Sequence, residues 1–157
     1  MSMSKIIRVT ADLLFPFIVI FGFYIVLHGH LTPGGGFQGG AVIATGFILL
    51  FAAHRIDDVT CIFGKKLFQN FEAFGLFLFI GTALVAIALG YTFFMNFLAN
   101  SGGLFGQTVS FGINPGSLNT AGVIPILNLA VGMEVLGGLS IIIIYMTKAI
   151  QWQEDLE

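Results

Sequence analysis

Long apolar runs make up most of the chain, and only a few polar interruptions divide them. No charged residue falls between Asp12 and Arg55, and none between Glu72 and Glu134. The first uncharged stretch is broken by the Gly-rich run Thr32 to Gly40, so it holds two apolar segments, at about 9–27 and 37–53. The second stretch holds a segment at about 73–98, a turn-rich connection from Ala99 to Thr120, and the start of a last segment at about 121–147, within which Glu134 stands. A hydrocarbon core about 30 Å thick is crossed by roughly 20 apolar residues in a helix. The runs are continuous rather than alternating, which argues against a β-barrel. The expected fold is all-α: a polytopic membrane protein with four transmembrane helices, residues 1–157 forming one integral membrane domain without an internal repeat. The second helix is short. The third would rise about 39 Å, so it must tilt or project into the headgroups.

Composition narrows the class further. Hydrophobic side chains make up 57% of residues and charged ones 9%, where soluble domains carry about 25% charged residues. That is too little charge to cover a soluble surface and too much hydrophobicity for disorder. A net charge of −2 lacks the basic face that nucleic acid requires. Cys61 is the only cysteine, so no intrachain disulfide framework or multi-cysteine metal site can form. All six Lys and Arg residues (Lys5, Arg8, Arg55, Lys65, Lys66 and Lys148) fall before the first segment, between the second and third, or after the last. The positive-inside rule then places both termini and the 54–72 loop in the cytoplasm. The apolar stretch after Met1–Lys5 is too long for a signal-peptide core and lacks an A-x-A-like site, so it reads as a mature helix.

The strongest local feature is His28-Gly-His-Leu-Thr-Pro-Gly-Gly-Gly-Phe-Gln-Gly-Gly40. Gly34, Gly36 and Gly39 satisfy G-x-G-x-x-G, and Asp57 follows at a suggestive distance. The dinucleotide reading fails because a strand must precede that loop, and here a membrane helix does. Asp57 also lies across the bilayer. No Lys-Ser/Thr follows the glycines, so the run is no P-loop. What remains is a sharp turn at the membrane surface. Glycine permits close backbone approach, and proline stiffens the turn. Pro33, Gly34, Gly35, Gly36, Gly39 and Gly40 are therefore a candidate packing joint against a partner helix. The alternatives are a break near an ion path or an ordinary turn. His28 and His30, two apart with no acid or cysteine on their side, do not make a metal site. They read as interfacial hydrogen-bonding residues.

Two acids draw attention. Asp12 lies one helical turn from Arg8 near the cytoplasmic mouth of the first span. It is either half of a terminal ion pair or a candidate relay residue. Glu134 stands near the middle of the last span, where a charge costs about 2.5–3.5 kcal/mol on insertion scales. Its helical neighbours Ala130, Gly137 and Gly138 are small and admit another helix, so the carboxyl faces protein rather than lipid. It is a candidate proton or cation relay, or else it holds two helices by a hydrogen bond. Thr82, Ala86 and Gly90 form a small-residue packing ridge on the third helix. No nucleophilic triad and no facing pair of carboxylates can be assembled, and no cofactor or metal site is expected.

The segment HGHLTPGGGFQGGAVIA, His28 to Ala44, resembles the signature of the MnhB family, the B subunit of multi-subunit cation/proton antiporters of the Mrp, Mnh or Pha type. NLAVGMEVLGG, Asn128 to Gly138, resembles that family's last helix. The resemblance covers nearly the whole chain. It implies a small, cofactor-free subunit of a large complex in the cell membrane of a bacterium or archaeon, with other hydrophobic subunits and lipid as partners. Related subunits occur in archaeal membrane-bound hydrogenases and sulfur-reducing complexes. The implied activity of the whole complex is exchange of cytoplasmic Na+ for external H+, or redox-driven ion pumping. The resemblance assigns no role to any single residue. A stand-alone oligomeric carrier or channel, and a purely structural scaffold, are the competing readings. Four helices with one deep acid offer little room for a coupled pathway, and secondary transporters usually show internal repeats.

Overall fold

The structure is a computed structural model that describes residues 3–109 and 117–154. It is all-helical over those residues, with five helices and no strand: α1 (Lys5–Leu27), α2 (Gly36–Ala53), α3 (Ile56–Ile62), α4 (Lys65–Ala88) and α5 (Ile124–Glu154). Four of them, α1, α2, α4 and α5, are long and apolar enough to cross a membrane. The chain is a multi-pass membrane protein. Part of the 99–120 connection, residues 110–116, lies outside the described residues.

Three helices differ in extent from the hydropathy pattern, and one of them, α5, runs on to Glu154 rather than ending near Thr147. Helix α1 starts at Lys5 rather than near Val9, since charged residues extend a helix out of the apolar zone at no backbone cost. The larger correction concerns the third span, expected at 73–98 and found at Lys65–Ala88. Its end is set by backbone chemistry. Gly90 takes φ +84°, its N–H donates to the Ile87 carbonyl, and the Tyr91 N–H donates to the Ala86 carbonyl. That is a Schellman cap, which uses glycine's access to positive φ. Apolar residues continue to Leu98, but the helix does not. The expected 54–72 loop also contains a helix, α3, whose first turn carries Asp57 and Asp58. Negative charge there complements the helix dipole.

In space the long helices stand in the order α1, α2, α5, α4, with each neighbouring pair in extensive contact. Helices α1 and α4 run one way, and α2 and α5 the other. Position in this row decides burial. In α2 56% of the apolar window is buried, against 17% in each of α1 and α4. Phe47, Phe51, Phe68, Leu136 and Ile144 fill the core near the end that carries the termini. The Phe47 and Phe68 rings meet edge to face at 5.0 Å, an arrangement their quadrupoles favour. At the opposite end, Asn96 clamps the long connection. Its amide donates to the Ala121 carbonyl at 2.9 Å and its oxygen accepts from the Val123 N–H at 2.7 Å.

Candidate functional site

The glycine run opens α2 and touches both neighbours of that helix. Gly34 has φ +144°, a conformation that favours glycine. Gly36 is the first residue of α2, and a Cβ there would strike the Asn128 carbonyl of α5 and lie 2.9 Å from Val131 Cβ. One turn on, a Cβ at Gly40 would lie 2.5 Å from the Gly132 carbonyl. Gly39 faces the other way, where its Cβ would meet the Gly22 carbonyl of α1 at 2.7 Å and the Val26 N–H at 2.8 Å. Gly35 is buried beside the Asn128 side chain, and Pro33 is exposed in the turn. The chain therefore brings three backbones together at this corner.

Polar groups at the same corner differ in how they are satisfied. The His28 ring stacks on Tyr24 and its Nδ1 lies 3.0 Å from the Tyr24 carbonyl. The buried ring nitrogens of His30 and the Asn128 Nδ2 make no hydrogen bond among the described residues. Burial holds the His30 pKa below the ordinary histidine value, and His28 nearby pushes the same way. The Ser117 backbone pulls more weakly upward, without a formed hydrogen bond.

Glu134 lies in α5 against α4. A Cβ at Gly75 would lie 2.6 Å from the Ala130 carbonyl and 2.8 Å from the Glu134 N–H. The reverse contact lies one turn away, where a Cβ at Gly137 would be 2.5 Å from the Phe68 carbonyl and 2.7 Å from the Glu72 N–H. Each helix thus sets a glycine against the backbone of the other's glutamate. Ala130 is fully buried in this seam, and Gly138 lies at its edge, 3.9 Å from Glu72 Oε1 if it carried a Cβ. Sequence reasoning missed Glu72 because it treated that charge as the boundary of the third span. Helix α4 starts seven residues earlier, at Lys65, which carries Glu72 two turns into the span. Gly64, an accepted N-cap residue, was the available signal of a helix start.

The remaining candidates separate. Ala86 is fully buried, while the Thr82 hydroxyl donates to its own helix at Phe79. Gly90 does not belong to the packing ridge. It lies beyond α4, and a Cβ there would meet nothing within 4 Å. The partner of Asp12 is not Arg8 but His54, at the end of α2, 2.8 Å from Nε2 to Oδ1. Asp12 and His54 line a small cavity with Asp58. Pro16 adds to this site, because it lacks the N–H that would bond the Asp12 carbonyl. A second cavity, of about 120 Å³ between Phe23, Ile43, Phe71 and Met133, has a wholly apolar lining.

A sequence profile for a domain related to the MnhB subunit of Na+/H+ antiporter matches residues 6–141. Among curated proteins, an uncharacterised protein of Methanocaldococcus jannaschii is 38% identical over 139 residues, covering 87% of this chain and 50% of that protein. A Staphylococcus aureus chain provisionally named as antiporter subunit mnhB2 is 39% identical over 54 residues, 34% of this chain and 38% of that one. Among solved structures, a chain of the membrane-bound sulfane sulfur reductase, an archaeal respiratory membrane complex, matches with a TM-score of 0.72 and 35% identity. That match covers 91% of this chain and 57% of the other. The chain thus spans about half the length or less of the curated relatives it matches.

Proposed function

The chain belongs to the MnhB family, and on that ground we propose that it is a non-catalytic membrane subunit of an ion-translocating complex that exchanges Na+ for H+ or pumps ions in a respiratory assembly. Both termini and α3 face the cytoplasm in this reading, since all six basic residues lie at that end. Glu134 is the relay candidate and Asp12, with His54, a candidate at the cytoplasmic mouth. The Gly34–Gly40 run is a packing joint that holds α1, α2 and α5 together.

The observation that carries the reading is the α4–α5 seam. Two carboxylates stand within the span, with glycines opposite them that bring the helices close. Intramembrane acids are rare, costly and tied to ion or proton paths. Purification in mild detergent tests the reading. Several hydrophobic chains should co-purify in fixed proportion, and a homo-oligomer free of them would overturn it. A cysteine at Leu104 in a Cys61→Ser background should react with an impermeant thiol reagent from outside. Reaction from the cytoplasmic side alone would reverse the topology.

A further inference from the structure

Glu72 raises the question of what covers it. Mid-helix in α4 falls between Leu76 and Phe77, so Glu72 stands about 7 Å from the middle at 1.5 Å per residue. Glu134 stands roughly 5 Å from the middle of the apolar part of α5, Ile124–Ile150, by the same measure. A hydrocarbon core extends about 15 Å to either side of its midplane. Both carboxylates therefore lie at hydrocarbon depth. Glu72 is exposed on the surface of the chain and Glu134 partly so. Neither makes an ion pair or hydrogen bond among the described residues.

The two acids open onto one side of the seam. The Glu72 carboxylate reaches toward Gly138. Glu134, Gly138 and Tyr145 follow i, i+4, i+11 spacing and so share a helix face. Lys65 donates to the Tyr145 hydroxyl on the same seam, nearer the terminal end. Leu76, the next turn from Glu72, is 47% exposed, and Ile80 beyond it is 47% exposed. An exposed carboxylate does not face acyl chains, where nothing can pair with it. The chain has no cation of its own at that depth, because its six Lys and Arg residues all lie toward the terminal end. A second copy of the chain has none there either.

We propose that the α4–α5 face bearing Glu72 and Glu134 seats a membrane-spanning helix of another subunit, and that this helix presents a lysine or arginine to Glu72. Charge complementarity selects the occupant: carboxylates that are ionised at this depth are stabilised by a basic partner, and neither lipid nor a second copy supplies one. Gly138, at the edge of the seam, carries no side chain to hold that helix off. The proposal rests on the reading of the chain as a subunit of a complex.

The test uses the intact complex with a photo-crosslinking residue at Leu76, read by mass spectrometry of the linked peptide. The link should fall on an intramembrane segment of another subunit, within one turn of a Lys or Arg. Glu72→Lys should lower recovery of that subunit roughly tenfold, as expected for like charges in a desolvated interface. Glu72→Gln should lower it less. Exchanging the partner's basic residue for Glu should restore recovery in the Glu72→Lys background. Links only to lipid, to a second copy or to a segment without a basic residue would overturn the proposal. So would wild-type recovery with Glu72→Lys. If no other subunit co-purifies with the wild-type chain, the subunit reading itself fails. If subunits co-purify and none is linked at Leu76, only the present proposal does.

Discussion

Helix α5 packs on α2 and on α4 by the same device, with different results. Against α2, Gly36 and Gly40 meet the carbonyls of Asn128 and Gly132. Against α4, Gly75 and Gly137 meet the backbones of Glu134 and Glu72. Small residues let helices approach in both cases, where dispersion rather than the hydrophobic effect holds them. The first seam lies in the middle of the helix row, closed by α1 on its far side. The second lies at the edge of the row and opens to the surface with a carboxylate on each helix. Close packing is thus common to both seams, and only the edge seam carries charge. The central seam holds the fold, and the edge seam is where an ion or a partner can reach this chain.

The largest effect should come from filling either seam. Gly36→Val and Gly75→Val each push a branched side chain into backbone atoms that cannot rotate away. Overpacking of this kind costs on the order of 1–3 kcal/mol or more. Both variants should lose most of the assembled protein on a native gel, and normal assembly of either would break the claim that the seams are rigid. Gly81→Ala is the control. A Cβ there meets nothing within 4 Å, so the change should be neutral or gain up to about 1 kcal/mol of helix propensity.

The next effect separates charge from packing. Glu134→Gln keeps the shape and hydrogen-bonding capacity of the side chain but cannot ionise. It should assemble normally and lose most Na+-dependent proton exchange in inverted membrane vesicles, with Glu134→Asp as a control for reach. Wild-type exchange in a normally assembled Gln variant would remove Glu134 from the path. Poor assembly would assign it to holding the two helices.

Asp12→Asn should do less. Asp12 is 57% and His54 23% exposed, and exposed ion pairs contribute about 0–1 kcal/mol. Assembly should be unchanged and exchange reduced less than by Glu134→Gln. An equal loss of exchange would move the chemistry from the edge seam to the mouth of α1.

The smallest effect should be the pH response at the glycine corner. The His30 pKa is lowered in the folded state from the ordinary value of 6.5, so the unfolded chain binds its proton first as pH falls. His30 is then silent above that value, and stability declines as pH falls below it toward the folded pKa. His30→Gln should flatten the thermal-stability profile of the purified protein on the acid side. An unchanged profile would show that another group sets it.

The amino-acid sequence by itself determined the four spans, because uninterrupted apolar runs of this length have no other stable use. It also determined the depth of Glu134, which stands far from any plausible helix end, and the presence of small residues around it. Tertiary structure decided what each small residue faces. Gly39 meets α1 while Gly36 and Gly40 meet α5, and nothing in a glycine's identity records its neighbour. It decided that Asp12 pairs with His54 rather than Arg8, a contact between residues far apart in the chain. It also decided that Glu72 lies inside a span and Gly90 outside it. Hydropathy reads a charge as a boundary, but a helix ends where its backbone hydrogen bonds are capped. The cap at Gly90 ends α4 ten residues before the 73–98 reading, and its start lies eight residues earlier, at Lys65.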